Sequence, residues 1–243
     1  MLMVCKIMRA FFDLTREYAA GEGFGMFTLE HFGWLIFCAA LTALLCLAYK
    51  KEDRRRKLRR WTAFCCLGVE LLRALLLVLA GRYDIGTLPL HLCGMAVYIC
   101  LFHALRGGAL TGQFLYAFCL PGAASALLFP DWSYYPALHF LTVSGFLLHG
   151  LIVAYVLMQV LCGELRPDIR RAPACLGLML AAALPVYVFD ILTHTNYMFL
   201  NWPSKGSPLE WFSFLGRPGY VLGYLPMIAA AWALMYLPFR KRQ

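Results

Sequence analysis

The feature that most constrains the fold is a series of long apolar segments separated by short polar ones. Hydrophobic residues make up 62% of the 243 residues and charged residues only 14%, whereas soluble domains are about a quarter charged. A helix needs about 20 apolar residues to cross a bilayer. The pattern predicts an all-α, polytopic membrane protein, because membrane β-barrels show alternating segments of about ten residues instead.

Seven apolar segments predict a single seven-helix transmembrane domain over residues 29–239. An interfacial segment, residues 1–28, precedes this domain, and a short basic tail, residues 240–243, follows it. The predicted spans cover about 30–49, 61–81, 88–105, 111–129, 136–162, 174–193 and 218–239. Pro121 and Gly122 predict a kink in the fourth span, which neighbouring helices tolerate in membranes.

The distribution of basic residues orients the predicted bundle. The polar segments after spans 1, 3, 5 and 7 carry fifteen Lys and Arg, against six on the other side. Since basic residues concentrate on the cytoplasmic side of membranes, we expect the N-terminus outside and the C-terminus inside. The same bias accounts for the net charge of +9, so no nucleic-acid partner is expected.

Residues 87–103 combine a turn signal with an apolar helix. Pro89 is predicted to lie in the first helical turn and Thr87 to cap it. The helix N-terminus would then favour an anion near His91, such as a phosphate head group or a developing oxyanion. A plain transmembrane span with a polar end is the alternative explanation of this stretch.

His91 and Cys93 in this stretch are candidates for nucleophilic chemistry. They differ by about 200° around a regular helix, so a local Cys–His pair requires an irregular first turn. The sequence has no CxxC pair and no metal-type spacing of Cys and His. No metal or cofactor is therefore expected, although a zinc ion is an alternative for the four histidines near the outer span ends: His31, His91, His139 and His194.

Two further pairs of ionisable residues lie within or at the end of predicted spans. Glu70 and Arg73 are three residues apart and can pair on one helix face. Either they fix helix packing, or Arg73 holds a lipid phosphate or carboxylate while Glu70 orients it. Asp190 and His194 are four residues apart, so that the carboxylate can orient the imidazole, unless they simply form the interfacial end of a helix.

His149 is predicted near the middle of the fifth span and is the best general-base candidate. A neutral imidazole can take and return a proton near neutral pH, although a histidine satisfied by a neighbouring helix explains it equally well. Intramembrane ionisable groups usually face the bundle interior. We therefore expect an outward-opening cavity lined by spans 2, 3, 5 and 6, with His139, Asn196 and Tyr197 at its mouth as substrate-binding groups.

Four motifs resemble the YwaF-type family of bacterial integral membrane proteins. They are LPLHLC at residues 88–93, HGL at 149–151, NYMFL at 196–200 and GSPLEWFSFLGRPGYVL at 206–222. The resemblance covers most of residues 83–235 in the same motif order. It implies a bacterial plasma membrane protein with membrane lipids as its surroundings and as a candidate substrate.

This family is distantly similar to animal multi-spanning acyltransferases that move acyl chains between phospholipids. That similarity implies a cysteine beside a Pro and a His at the start of a span, here Pro89, His91 and Cys93, with His149 as the catalytic histidine. In this chain the cysteine follows the histidine instead of lying between Pro and His. Lipid acyl transfer or hydrolysis is the first hypothesis. A transporter or a lipid- or solute-binding protein is the second, and a scaffold whose polar groups only specify packing is the third.

Overall fold

The computed structural model describes residues 11–242 except 17 and 20, and all regular structure among these residues is helical. Seven main helices follow one another along the chain. Their bounds are α1 Leu29–Tyr49, α2 Glu52–Leu79, α3 Leu92–Arg106, α4 Ala109–Leu128, α5 Phe140–Leu161, α6 Ala172–Thr193 and α7 Tyr224–Tyr236. Most of the predicted interfacial segment, residues 1–10, 17 and 20, and the last residue of the predicted basic tail lie outside the described residues.

Six of these helices are long and apolar enough to cross a membrane, when α6 and α7 are counted with their flanking 3₁₀ turns. The chain is therefore a multi-pass membrane protein. The third predicted span corresponds to α3, which has only 15 residues and is shorter than the ~20 that a complete crossing needs. A seventh crossing and the orientation of the termini stay predictions.

Two helix boundaries differ from the sequence-based expectation. α2 begins at Glu52 instead of about 61, because the basic segment is rich in good helix formers and has acidic residues in its first turn. α3 begins at Leu92, so the prediction that Pro89 lies in its first turn is wrong. Thr87 instead closes a 3₁₀ turn in which Asp84 forms a capping box.

Helix α5 lies at the centre of the bundle. It packs against α1, α2, α3 and α4, and most of its apolar length is buried, whereas α1, α6 and α7 are largely exposed. The main apolar core gathers side chains of α2, α3, α4 and α5. Since apolar surface on a membrane protein can face lipid, the exposed faces of the outer helices are consistent with a bilayer environment.

A π-helical segment, Leu115–Cys119, interrupts α4 directly before Pro121. Proline has no N–H, so the carbonyl four residues earlier, that of Ala117, loses its helical donor. The indole Nε1 of Trp232 in α7 donates to this oxygen at 2.9 Å. The predicted irregularity near Pro121 is present, and a neighbouring helix supplies the missing hydrogen bond.

We expect Trp232→Phe to destabilise the protein by about 1–3 kcal/mol, because the Ala117 carbonyl is left without its donor inside the bundle. Phenylalanine keeps the edge-to-face contact with Phe118, whose ring centroid lies 5.5 Å from that of Trp232. Reversible unfolding in detergent micelles would measure the change. Trp211→Phe is the matched control, since Trp211 is 77% exposed; equal stability of the two variants would contradict the role of this bond.

At the end of α3 opposite Cys93, His103 is part of the packing between helices. Its Nδ1 lies 2.9 Å from the hydroxyl of Tyr155 in α5. Tyr49 and Arg59 meet the carboxylate of Glu164 on the same side of the bundle. These bonds hold α1, α2 and the segment after α5 together. The His103 end of α3 therefore has a structural role, and the candidate residues His91 and Cys93 lie at its other end.

Candidate functional site

His149 is held in one tautomer inside the bundle. Its Nδ1 lies 2.7 Å from the carbonyl oxygen of Gly145, and a carbonyl can only accept. Nδ1 therefore carries the proton and Nε2 presents a free lone pair, which is the form that a general base requires. The Trp132 ring stacks on the imidazole with centroids 4.9 Å apart and planes 23° from parallel.

The Trp132 ring reaches this position because residue 145 is a glycine. A Cβ at Gly145 would lie 2.9 Å from the indole ring, which is too close for a carbon–carbon contact. Gly145 and His149 are one turn apart on α5, so the indole covers both. This packing fixes the plane of the imidazole and excludes water from one face.

Cys93 lies in the first turn of α3 and is half-buried. His91 is the N-cap but its side chain makes no capping bond, and the Gly94 N–H interacts with the Cys93 sulfur. First-turn N–H groups have no partner within their own helix. The sulfur therefore lies beside donors that can stabilise negative charge.

The entry to α3 is tight because its glycine contacts the preceding proline. A Cβ at Gly94 would lie 2.9 Å from the Pro89 carbonyl oxygen and Cα. This close approach turns the chain into the helix at Leu92 and leaves His91 with extended backbone angles, φ −64° and ψ 152°. The start of α3 is therefore irregular, but the described residues show no hydrogen bond between His91 and Cys93.

Six ionisable side chains from four parts of the chain form one electrostatic group, which we call the Cys93 cluster. Cys93 interacts with Asp131, Glu70 and Arg73. His149 interacts with Asp131 and Glu70 and also with His91. These electrostatic interactions link predicted site residues of α2, α3 and α5 through Glu70 and Asp131, whereas no hydrogen bond joins Cys93 to His149 among the described residues. The members of the cluster are Glu70, Arg73, His91, Cys93, Asp131 and His149.

Glu70 and Arg73 form the predicted ion pair. Arg73 Nη2 donates to Glu70 Oε1 at 2.8 Å and Nε donates to Oε2 at 3.2 Å. Glu70 is only 3% exposed. The two-pronged contact fixes the guanidinium plane and leaves its other N–H groups available to an anion near Cys93.

His91 is a hydrogen-bond donor in its neutral form. The backbone N–H of Met198 donates to His91 Nδ1 at 3.2 Å, so the remaining proton resides on Nε2. Its ring packs against Tyr197, with centroids 5.0 Å apart, and against Phe199. These contacts favour His149 over His91 as the general base.

Asp190, Asn196 and Tyr197 organise the loop after α6. Asp190 Oδ1 accepts from the Tyr197 N–H at 2.9 Å and from the Thr195 hydroxyl at 2.7 Å. Asn196 Oδ1 accepts from two backbone N–H groups farther along the loop. The Tyr197 hydroxyl donates to the Ile85 carbonyl at 2.6 Å. The NYMFL motif thus attaches this loop to the turn before α3 and to His91.

His194 does not pair with Asp190, whose Oδ1 is bonded to Thr195 and Tyr197 instead. It follows the end of α6 in a left-handed conformation, with φ 57° and ψ 30°. Its side chain lines a separate cavity beside Arg217. His194 is thereby placed apart from the Cys93 cluster.

His139 is the N-cap of α5 and is buried. The Leu141 N–H donates to its Nδ1 at 3.2 Å, and its Nε2 donates to the Asp13 carbonyl at 3.3 Å. Its ring stacks on Tyr135 with centroids 4.5 Å apart. Both ring nitrogens have protein partners, which favours a capping role over the predicted contact with substrate.

His139 also makes stability depend on pH. Burial lowers the pKa of His139, and the hydrogen bond and charge of Asp13 oppose this effect only in part. The cap therefore contributes fully above the unfolded pKa of about 6.5, and its contribution is lost as the pH falls below that value. His139→Asn keeps a capping side chain without a titratable ring, so its thermal midpoint should fall less than that of the wild type between about pH 7.5 and 5.5. Parallel curves in a thermal-shift series would contradict this.

Asp131 and Trp132 are the site residues that sequence reasoning missed. They lie in the short PDWSYYP segment, which reads as a turn between two prolines. Surrounding protein raises the pKa of the Asp131 carboxyl, and the neighbouring His149 opposes this rise, although the residue is exposed on one side. The sequence did offer one indication of their role. Asp131 and Trp132 come shortly before the predicted span that carries the candidate base His149.

The Cys93 cluster combines the groups that acyl chemistry needs. It holds a thiol, a histidine with a free Nε2, helix N–H groups and an oriented guanidinium. These can act as nucleophile, base and oxyanion donors. Among residues 11–242, without 17 and 20, no three His, Cys, Asp or Glu side chains are arranged to hold a metal ion.

Comparisons with known proteins identify a family. No curated protein and no solved structure matches the chain. Residues 26–236 match the TMEM164 family, and this range includes α1 to α7 and every member of the Cys93 cluster. The chain therefore belongs to the TMEM164 family.

Proposed function

We propose that this membrane protein transfers or hydrolyses lipid acyl chains at the Cys93 cluster. The observation that carries the proposal is the pair of contacting helices α3 and α5, which hold Cys93 in a first turn and a histidine, His149, whose Nε2 is free. Both residues have Glu70 and Asp131 as electrostatic neighbours. A thiol needs a base to become a good nucleophile. The YwaF-type resemblance and its distant similarity to animal phospholipid acyltransferases favour a lipid ester as the substrate.

The proposed reaction has two steps. His149 Nε2 takes the proton of the Cys93 thiol while the sulfur attacks the ester carbonyl of a phospholipid. The bond from the carbonyl carbon to the lipid oxygen then breaks, and the leaving alcohol takes the proton from His149. The resulting thioester is attacked by the hydroxyl of a lysolipid, or by water, and its proton returns through His149 to the thiol.

Three neighbours support these steps. The N–H groups at the start of α3 stabilise the oxyanion on the ester carbonyl. Arg73, held by Glu70, attracts the phosphate of the lipid. Asp131 is an electrostatic neighbour of His149 and stabilises the imidazolium that forms after proton transfer.

The experiment uses purified protein in nanodiscs of isotopically labelled phospholipid with unlabelled lysolipid. Mass spectrometry follows the label as it moves to the lysolipid, and intact-protein mass spectrometry detects an acyl group on Cys93. Transfer of label together with a hydroxylamine-sensitive acyl adduct would support covalent acyl transfer. No turnover and no adduct, over phospholipids with several head groups, would exclude the proposal.

A transporter or a lipid- or solute-binding protein is the second candidate. The observation that favours it is the π-helical segment and Pro121 in α4, beside the additional Pro185 inside α6. Segments of π-helix inside α-helices are frequent at functional sites, and proline is a common cause of helix kinks. Saturable uptake into proteoliposomes without chemical turnover would favour this function.

The location proposed for the protein is a bacterial plasma membrane with the Cys93 cluster toward the outer face. The basic segment at the start of α2 and the tail after α7 support this orientation, because positive charge is retained in the cytoplasm. Labelling of single cysteines in intact cells with a membrane-impermeant maleimide tests it. Labelling at Lys205→Cys but not at Lys57→Cys is the expected result.

A further inference from the structure

A cavity of about 350 Å³ lies at the C-terminal end of α6, between this helix and the segment before α7, and it shares no residue with the Cys93 cluster. We define it by the seven residues that line it and call it the Arg217 cavity. Two of them carry basic side chains, two more carry polar groups, and the rest are apolar. They are Tyr187, Ile191, His194, Leu200, Asn201, Arg217 and Pro218.

The Arg217 cavity lies beside the ends of two candidate membrane spans. One span ends at Thr193 in α6, and the other begins at Gly219 before α7. His194 follows the first end directly, and Arg217 is two residues before the second. Trp202 and Trp211 are exposed in the same loop, as aromatic residues are at the boundary between hydrocarbon and head groups.

Arg217 is a cation without a carboxylate partner among the described residues. Its guanidinium donates to the Asn201 side-chain oxygen and lies over the Trp202 ring at 5.7 Å from the centroid. These two contacts fix the plane of the fork and leave other N–H groups free. An arginine held in this way suits a phosphate, which accepts two parallel hydrogen bonds.

The nearest carboxylate on α6, Asp190, is engaged elsewhere. Its Oδ1 accepts from Thr195 and from the Tyr197 N–H, and the residue is fully buried. The Asn201 amide donates to the carbonyls of Asp190 and Thr195 and accepts from Arg217, so the polar groups left at the cavity wall are those of Arg217, His194 and Tyr187. Arg217 is the charged donor among them, which favours an anionic ligand.

An apolar face of α6 extends from the Arg217 cavity toward the middle of the predicted span. Ile191, Val188 and Leu184 are 49%, 55% and 63% exposed, and they follow one another at helical spacing on one side. Such a surface fits acyl chains that descend from a head group at the interface. A soluble anion such as inorganic phosphate would make no contact with this apolar surface.

The geometry points to a phospholipid site in which Arg217 and His194 hold the phosphate and the exposed face of α6 holds the acyl chains. This site does not rest on acyl chemistry at Cys93, and it is expected even if the protein has no enzymatic activity. Its ligand class is a glycerophospholipid with an anionic head group. A free phosphate shares the recognition chemistry but not the contact with α6.

Native mass spectrometry of the detergent-purified full chain tests the site with dioleoyl phosphatidylglycerol. We expect Arg217→Gln to weaken retention of this lipid about tenfold, which corresponds to about 1.4 kcal/mol. Lys205→Gln is the matched control, because it removes the same charge from an exposed position in the same loop. Dioleoylglycerol, which has the same chains and no phosphate, should be retained weakly by both variants and by the wild type.

Three results would overturn the assignment. The first is equal retention of phosphatidylglycerol by Arg217→Gln and Lys205→Gln. The second is equal retention of dioleoylglycerol and phosphatidylglycerol by the wild type. The third is displacement of the lipid by millimolar inorganic phosphate, which would assign the cavity to a free anion. If Arg217→Gln lowers the yield of folded protein, His194→Gln carries the same comparison. The His194 side chain makes no hydrogen bond within the described residues, so this variant should fold.

Discussion

Cys93→Ser is expected to reduce acyl exchange by on the order of 10³-fold or more while leaving the fold intact. Serine occupies almost the same volume, so the start of α3 and its contact with Pro89 are retained. A hydroxyl is far harder to ionise than a thiol and is a weaker nucleophile in the same geometry. Label transfer in nanodiscs measures the rate, and the acyl adduct should disappear with it.

His149→Gln should have a comparable effect through loss of the proton acceptor. Glutamine can still donate to the Gly145 carbonyl but has no basic nitrogen. Exchange that is lost in both variants would support covalent transfer through Cys93. Exchange that survives in Cys93→Ala but not in His149→Gln would instead indicate a water or hydroxyl activated by His149, without a thioester.

Cys65→Ser is the control for these comparisons. Cys65 is exposed on α2 and is not a member of the Cys93 cluster, so its replacement should leave exchange unchanged. It also removes an accessible thiol that a cysteine reagent would label first. Inactivation of Cys65→Ser protein by a thiol reagent, prevented by prior incubation with lipid substrate, would locate the reactive thiol inside the bundle.

Glu70→Ala is expected to destabilise the protein by about 3–5 kcal/mol. It leaves Arg73, which makes two bonds to Glu70, as an uncompensated cation within a membrane span. Neighbouring groups replace a lost carboxylate poorly, because few polar atoms and little water are available there. Unfolding in mixed micelles as a function of denaturant would measure the loss.

Two further variants separate this effect from the general loss of a charge pair. Glu52→Ala removes the acid of another i,i+3 pair on α2, with Arg55, in which Glu52 is exposed, and should cost at most about 1 kcal/mol. Glu70→Leu combined with Arg73→Met removes both the buried carboxylate and the partly buried guanidinium, and it should restore most of the stability. A double variant as unstable as Glu70→Ala would show that the loss comes from packing and not from the unpaired charge.

The all-helical, multi-pass architecture was predictable from the sequence, because span length and apolar character can be read directly along the chain. α1 and α5 lie within about four residues of their predicted bounds. The start of α3 was not predictable, because it depends on the contact between Gly94 and Pro89, which forms only in the folded chain. A helical wheel also presupposes a regular helix, whereas His91 precedes α3 as its N-cap with extended backbone angles.

For the candidate site, the sequence indicates residue types but not the hydrogen-bond partners of each residue. Intramembrane Glu70, Arg73 and His149 are recognisable by their cost in a bilayer. The structural roles of His139 and Tyr197 could not be recognised from the sequence. A helix N-cap and a loop contact use the same polar atoms that a ligand would use. Asp131 was missed because a carboxylate in a short loop is ordinary until the loop is seen beside His149.

The central position of α5 has a consequence for biosynthesis. The helices that pack around it, α1 to α4, all come before it in the chain. When only these four helices have been synthesised, the surfaces that will contact α5 have no protein neighbour. The helices can pack around α5 only after the chain has been translated through residue 161. α6 and α7 are added afterwards at the periphery. The start of α3, where His91 accepts from the Met198 N–H, is therefore completed only after the loop that follows α6 has been translated.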